Sequence, residues 1–151
     1  MATLTKFEDI KAWQKARFFC TEIVLLIEKT NLGKDYKLRE QINGSSGSIM
    51  DNIAEGFGRG GNLEFIQFLE FSHASACESQ SQLYRILDRK YITEEKFKQL
   101  YEIVEEVRRM ILSLIKYLSV SPMTGPKYKL RQKEADRKST RLNSSHRTGS
   151  R

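Results

Sequence analysis

The chain has 151 residues, of which 39% are hydrophobic and 30% are charged, and its formal net charge is +7. This length suits one domain with its own apolar core and leaves little room for a second. The longest apolar run covers residues 23–27, far below the ~20 residues that cross a bilayer, and the N-terminus has acidic residues where a signal peptide would have its apolar segment. We therefore expect a cytoplasmic protein that does not enter a membrane.

The positive charge is concentrated near the C-terminus. Residues 1–123 contain 17 Lys plus Arg and 17 Asp plus Glu, so the excess lies in residues 124–151. The two prolines are Pro122 and Pro126, which leaves the preceding part of the chain free of this helix breaker. The pattern predicts an all-helical domain in residues 1–123, followed by a basic, disordered tail in residues 124–151.

The end of the tail has an unusual sequence. Asp136–His146 reads DRKSTRLNSSH, which resembles the in-frame translation of a sequencing-library adapter. On that interpretation residues 136–151 are adapter read-through, and the native reading frame ends near Ala135. The alternative is a genuine basic tail rich in Ser and Arg, and resequencing the 3′ end of the gene would distinguish the two.

The first predicted helix covers about residues 7–30. Apolar residues recur along it at intervals of three and four, in a stripe through Ile10, Trp13, Arg17, Cys20, Ile23 or Val24, and Ile27. Gly33 follows the stripe, where we expect it to form a left-handed cap.

The second predicted helix covers about residues 36–58. Its predicted core positions are Leu38, Ile42, Ser45, Ile49, Ile53 and Phe57 or Gly56. Its middle contains Gly44, Ser45 and Gly47, although a single glycine inside a helix costs ~1 kcal/mol relative to alanine. We interpret these small residues as a close-packing site where another helix crosses at short range. The alternative is a break that divides the helix in two.

The third and fourth helices are predicted at about residues 62–90 and 93–120. Asn62 and Thr93 are the expected N-caps. The third helix has polar residues, His73 and Gln80, at two of its core-type positions, whereas the fourth has a regular apolar stripe. Four long helices with short connections pack economically when sequential neighbours run in opposite directions. The predicted fold class is therefore all-α, an antiparallel up-down-up-down four-helix bundle.

A row of polar residues distinguishes the second helix. The row consists of Ser48, Asn52, Glu55 and Arg59, which share one side of the helix because they are four, three and four residues apart. One hypothesis makes the row a ligand-binding or pore-lining surface. The other, which we favour, makes it a structural or interface network that joins helices or subunits, with Glu55 and Arg59 as an ion pair.

Glu70 and His73 have the Glu-x-x-His spacing of di-iron carboxylate proteins, which are also four-helix bundles. Such a site needs a second motif of this kind, and the other histidine of the chain is His146 in the tail. A metal-dependent enzyme that uses Glu70 and His73 is therefore only the alternative hypothesis. We predict no catalytic residues, metal or cofactor, and no small-molecule substrate is indicated. Instead we expect His73 to lie in the core, with its nitrogens satisfied by neighbours such as Gln80 or Glu55 through a hydrogen bond or a water.

Six basic residues in the second half of the bundle are candidates for nucleic-acid contacts, because balanced totals do not exclude a local basic patch. They are Arg85, Arg89, Lys90, Arg108, Arg109 and Lys116. The alternative is that they occupy ordinary solvated helix faces.

Several short motifs occur along the chain in a fixed order. They are Phe7…Trp13, Tyr36-Lys37-Leu38…Gln41, Ser48-Ile49…Asn52-Ile53-Ala54-Glu55-Gly56…Arg59, Glu64-Phe65…Phe68-Leu69 and Ser75…Glu78. Together they resemble the four helix bundle protein family, which is also named for 23S rRNA intervening sequences. The resemblance covers about residues 7–118.

The resemblance implies a bundle that assembles into a ring-like homopentamer. A relative of the family, the accessory protein of diversity-generating retroelements, is similar in fold and binds nucleic acid and a reverse transcriptase through a basic surface. The resemblance therefore implies a non-enzymatic homo-oligomeric scaffold, with RNA, DNA or a nucleic-acid enzyme as its partner. The charge balance of residues 1–123 departs from that relative.

Overall fold

The computed structural model describes residues 4–120 and residue 137. It contains four α-helices, which are α1 (Lys11–Lys29), α2 (Tyr36–Arg59), α3 (Asn62–Asp88) and α4 (Glu94–Val120). Short 3-10 helices at Phe7–Asp9 and Asn31–Lys34 precede α1 and α2. The predictions of a disordered tail in residues 124–151 and of adapter read-through in residues 136–151 lie outside the described residues, residue 137 excepted.

The helices pack in sequence order around one core. Each contacts its neighbours in the chain, and α4 returns to pack against α1. Ion pairs show that α1 and α4 are antiparallel, since Lys15 pairs with Glu106 at 3.0 Å and Glu22 pairs with Lys96 at 3.2 Å. The predicted all-α four-helix bundle is therefore confirmed. No helix in residues 4–120 has the length and apolar character needed to span a membrane.

The core matches the predicted stripes in α2 and α4 and only part of the predicted stripe in α1. The buried residues of α1 are Ala12, Ala16, Phe19, Ile23 and Leu26. Ile10 and Ile23 of the predicted stripe are buried, but its other members lie one position beyond the buried residues, about 100° around the helix. These members are Trp13, Arg17, Cys20 and Ile27. The displacement arises because α1 has large apolar residues on several sides, such as Phe18, which is 47% exposed. The inner face has small alanines at Ala12 and Ala16 in the first half of α1 and large apolar residues from Phe19 onwards.

Helix α2 continues through Gly44 and Gly47, so the alternative of a divided helix is wrong. It begins after Asp35, whose Oδ1 accepts a hydrogen bond from the Leu38 amide at 3.4 Å. It ends at Gly60, whose φ of 87° is left-handed and favours glycine. The predicted N-cap of α4 is also present, because Thr93 Oγ1 accepts from the Lys96 amide at 3.1 Å.

Two other predicted caps are wrong. Gly33 lies in a 3-10 helix, and it is glycine because a Cβ there would overlap the carbonyl oxygen of Ile27. Gly61, not Asn62, is the N-cap residue of α3. The Asn62 side chain instead donates to the carbonyl oxygen of Leu118 at 3.4 Å, and so connects the start of α3 to the end of α4.

Candidate functional surfaces

The polar row of α2 lies on the side of the helix that borders α3. Asn52 Nδ2 donates to the Ser48 carbonyl oxygen at 2.8 Å and to Ser48 Oγ at 3.1 Å. Arg59 Nη2 donates to Glu55 Oε1 at 2.8 Å, and both side chains are about half exposed. Each hydrogen bond described for the row thus joins two residues of α2. They leave the outer side of Glu55 and Arg59 open to solvent.

An aromatic and arginine patch adjoins the end of this row. We call Arg59, Phe68 and Phe71 the α2–α3 patch. The Arg59 guanidinium carbon is 5.0 Å from the centroid of the Phe68 ring, and the rings of Phe68 and Phe71 meet edge to face at 5.6 Å. Phe71 is 48% exposed. Arginine and aromatic side chains are enriched where protein interfaces have their strongest contacts, so this patch suits contact with another protein chain.

Gly44 and Gly47 do not pack closely against a helix of the same chain, so the predicted close crossing is not made there within one chain. A Cβ added at either position, or at Gly58, would meet no heavy atom within 4 Å among the described residues, because these positions face away from the core. The close approach occurs at Gly56. A Cβ there would lie 2.6 Å from Phe68 Cβ, which is closer than real Cβ contacts.

Ser45 is the predicted close-packing residue that does face α3. Its Oγ lies 2.9 Å from Ser79 Oγ and 2.5 Å from Gln82 Oε1, to which it donates. All three residues are buried, and the described residues contain no buried side-chain N or O atom that lacks a hydrogen-bond partner. Sequence reasoning missed Ser79 and Gln82. The available signal was Ser72, Ser79 and Gln82 at intervals of seven and three, which places three polar side chains on one face of α3.

A second polar group joins α3 to α4. We call His73, Gln80, Glu105 and Arg108 the α3–α4 cluster. Glu105 Oε2 accepts from Arg108 Nη1 at 2.7 Å and from Gln80 Nε2 at 2.8 Å. Arg108 also donates from Nη1 to Gln80 Oε1 at 3.4 Å and from Nε to His73 Nε2 at 3.3 Å. The partner of His73 is therefore Arg108, and the predicted bond to Gln80 or Glu55 is wrong.

The metal site of the alternative hypothesis does not assemble. The Glu70 side chain is exposed, whereas His73 is half-buried and accepts its hydrogen bond from Arg108. His73 Nδ1 is 3.9 Å from Cys77 Sγ, but two donors do not complete the set that a protein metal site requires. Within the described residues no three His, Cys, Asp or Glu side chains are grouped to hold a metal ion.

The six candidate basic residues are distributed along α3, the turn that follows it and α4. Arg89, Arg108 and Arg109 form ion pairs with Asp35, Glu105 and Glu102, in that order. Arg85 Nη1 donates to Gln41 Oε1 at 2.9 Å. Lys90 and Lys116 are exposed near opposite ends of the bundle. Nearby carboxylates therefore offset the charge of half of the candidates in a single chain.

Asp35 holds the Arg89 side chain in an ion pair. Its Oδ2 accepts from Tyr91 Oη at 2.9 Å and from Arg89, while its Oδ1 caps α2. The Tyr91 hydrogen bond is the main cause that lowers the pKa of the Asp35 carboxyl, and the Arg89 hydrogen bond adds to it. The carboxylate therefore connects the α3–α4 turn to the start of α2.

A groove of about 630 Å³ lies between the N-terminal segment and α4. Its walls include the apolar residues Leu4, Ile10, Ala12, Met110 and Leu114. Two acidic and two basic side chains border it, and they are Asp9, Glu106, Lys11 and Arg109. The charges at the border therefore balance, and they favour neither an anionic nor a cationic ligand.

Together the fold and these surfaces define a small all-α four-helix bundle with an exposed aromatic and arginine patch. The family described as 23S rRNA-intervening sequence protein matches residues 8–113, and the chain belongs to this family. The family resemblance read from the short motifs is confirmed.

One similar solved structure is the crystal structure of a protein with unknown function from the S23 ribosomal protein family of Bacteroides thetaiotaomicron. It is 27% identical to this chain, with a TM-score of 0.64, and the alignment covers 70% of this chain and 95% of that one. The search of curated proteins gave no match.

Proposed function

We propose that this protein is a non-enzymatic scaffold that assembles with copies of itself, as a ring of five according to the family resemblance. The assembled surface binds a nucleic acid or a nucleic-acid-associated protein. The observation that carries the self-association is the outward face of α2, where Gly44 and Gly47 face no helix of the same chain.

The argument from these glycines is energetic. Each glycine inside a helix costs ~0.8–1 kcal/mol relative to alanine. Packing within the chain does not require either residue, because an added methyl group would contact no atom within 4 Å. A helix of another copy that approaches the α2 backbone closely would require both, since a Cβ would hold it away.

The α2–α3 patch supports the same interpretation. It lies at the C-terminal end of α2, next to Gly58, which also has open space around its Cα. Its exposed Arg59 and Phe71 are side chains of the type that anchor protein interfaces. An interface along α2 would therefore combine close backbone contact at the glycines with side-chain contacts at the patch.

The nucleic-acid part of the proposal rests on other grounds. The family is described by its association with 23S rRNA intervening sequences. The bundle itself has balanced charge, and three of its six candidate basic residues are paired with carboxylates. A protein that acts on nucleic acid is therefore as suitable a partner as the nucleic acid itself.

Size-exclusion chromatography with light scattering tests the assembly. We expect five chains per particle for the natural sequence and a monomer for the double variant Gly44→Ala/Gly47→Ala. At a concentration where the natural chain is also monomeric, the variant should unfold at a higher denaturant concentration than the natural chain, because each alanine favours the helix by ~1 kcal/mol. Loss of assembly together with a gain in monomer stability separates an interface effect from misfolding.

Ser81→Ala is the matched control, because Ser81 is exposed on α3 and the change also introduces a better helix former. This variant should have the same number of chains per particle as the natural chain. A natural chain that is monomeric at micromolar concentration would contradict the proposal. A double variant that assembles like the natural chain would exclude the outward face of α2 as the interface.

A further inference from the structure

The α3–α4 cluster places a histidine against an arginine in a geometry that only the neutral imidazole allows. Arg108 Nε carries a hydrogen and donates it to His73 Nε2 at 3.3 Å. A guanidinium has donors and no acceptor, so Nε2 must present its lone pair. The ring proton of neutral His73 is then on Nδ1, which faces Cys77 Sγ at 3.9 Å.

Protonation of His73 would replace this hydrogen bond with a repulsion. Both Nε2 of the imidazolium and Nε of Arg108 would carry hydrogens, and both groups would be positively charged. We propose that His73 and Arg108 form an acid-sensitive latch between α3 and α4, which is closed while His73 is neutral and opens when His73 is protonated.

The surroundings of His73 favour the closed form near neutral pH. The charged and titratable groups that face it are Cys77 on α3 and Glu105 and Arg108 on α4, while Glu70, one turn away, is exposed. Burial lowers the pKa of His73 below its ordinary value of 6.5, and the positive charge of Arg108 lowers it further. Glu105 acts in the opposite direction but is the weakest of these influences.

The rest of the cluster remains in place when the latch opens. The hydrogen bond from Gln80, followed by that from Arg108, lowers the pKa of Glu105 below its ordinary value of 4.5. The lowered pKa favours ionised Glu105, and its hydrogen bonds to Arg108 and Gln80 do not involve His73. Opening removes the Arg108–His73 bond, which is one of three hydrogen bonds that cross from α3 to α4 in the cluster.

The direction of the pH dependence follows from linkage. The unfolded chain has an ordinary histidine and binds a proton at higher pH than the folded chain does. The contribution of His73 to the free energy of unfolding is therefore largest above pH 6.5, decreases as the pH falls from 6.5 to the folded-state pKa of His73, and levels off below that.

NMR titration of the full chain between about pH 8 and pH 5 tests the latch. The two histidines are assigned with His146→Gln. We expect a midpoint below 6.5 for His73, and a rise of that midpoint in Arg108→Gln. Arg109→Gln is the matched control, because Arg109 is exposed, lies on the next position of α4 and pairs with Glu102 instead. It should leave the midpoint unchanged.

Thermal unfolding gives the second readout. His73→Gln keeps a neutral acceptor for Arg108 at every pH, so its melting temperature should fall less between about pH 7.5 and pH 5.5 than that of the natural chain. A His73 midpoint at or above 6.5, or one that Arg108→Gln does not raise, would overturn the proposal. Equal losses of melting temperature in the natural chain and in His73→Gln would also overturn it.

Discussion

Gly56 and Gly58 are two residues apart on α2 and have opposite surroundings. Gly56 is buried against α3, where Phe65 and Phe68 leave no room for a methyl group. Gly58 is exposed, and an added Cβ would have open space. The same residue type thus permits close packing at one position and is not required by the chain's own packing at the other.

We expect Gly56→Ala to destabilise the bundle by about 1–3 kcal/mol, because a new methyl group in a packed interface forces its neighbours to move. Gly58→Ala should be neutral or stabilising by up to ~1 kcal/mol. Urea unfolding monitored by circular dichroism measures both. Equal midpoints for the two variants would show that the contact at Gly56 relaxes without a measurable penalty.

Lys90 has a left-handed backbone with φ of 61°, which is costly for a residue with a side chain. Around it, the Lys90 amide donates to the Leu87 carbonyl at 2.8 Å and the Tyr91 amide donates to the Ile86 carbonyl at 3.2 Å. This is the pattern of a helix C-terminus that usually contains glycine at the position of Lys90.

Lys90→Gly should therefore raise the free energy of unfolding by about 0.5–1 kcal/mol, because glycine adopts this backbone conformation without a Cβ clash. Lys90→Ala retains the Cβ and removes the charge, so it should give no such gain. The comparison is made by chemical denaturation. If the alanine variant gains as much as the glycine variant, the effect is due to charge and not to the backbone.

At the scale of helices, the predicted cap at Thr93 is present whereas those at Gly33 and Asn62 are wrong, and the inward faces were predicted well for α2 and α4 but not for α1. Gly60 and Thr93 mark the end of α2 and the start of α4, because a left-handed cap and a side-chain cap depend only on nearby residues. The rotation of α1 depends on all its neighbours at once. Its buried face contains Ala12 and Ala16, which hydrophobic periodicity cannot rank above Trp13.

The polar contacts between helices could not be predicted from the sequence, because they too depend on how the helices are rotated relative to one another. His73 and Arg108 are 35 residues apart, and their contact depends on the relative rotation of α3 and α4. By contrast, the Glu55–Arg59 pair follows directly from its spacing on one helix. Interactions within a helix were therefore predictable, whereas partners on different helices required the structure.

Ser45 provides a test of the buried bonds between α2 and α3. Ser45→Ala would remove a partner from both Ser79 Oγ and Gln82 Oε1. We expect a loss of about 1–3 kcal/mol, because a buried polar atom that loses its partner keeps its desolvation penalty. Ser81→Ala, at an exposed position of α3, should remain within about 0.5 kcal/mol of the natural chain.

Urea unfolding of the two serine variants makes this comparison under identical conditions. Equal stability of Ser45→Ala and Ser81→Ala would mean that Ser79 and Gln82 find other partners, and that small size is the only requirement at position 45.

At the scale of the whole molecule, the distribution of charge decides how a nucleic acid would first meet the protein. Residues 1–123 have no net charge, so the bundle exerts little long-range attraction on phosphate. Residues 124–151 contain nine Lys or Arg and two Asp or Glu. Affinity measured with the full chain alone would therefore mix the contribution of the bundle with that of this C-terminal segment.

Titration of structured RNA against the full chain and against a chain that ends at Met123 separates the two contributions. Each phosphate contact lowers log K by about 0.7–0.9 for each tenfold rise in salt, so the shorter chain should show a shallower slope at low and physiological salt. If the bundle itself binds the nucleic acid, the shorter chain keeps measurable, salt-dependent affinity, and Lys116→Gln in the shorter chain reduces the slope further.

The opposite result has a definite meaning. If the chain that ends at Met123 has no salt-dependent affinity while the full chain does, RNA binding belongs to residues 124–151 alone. The bundle would then be left with a protein as its partner, because neither its net charge nor its paired arginines would attract RNA. Light scattering on the same two samples shows whether assembly is independent of the C-terminal segment, as an interface along α2 requires.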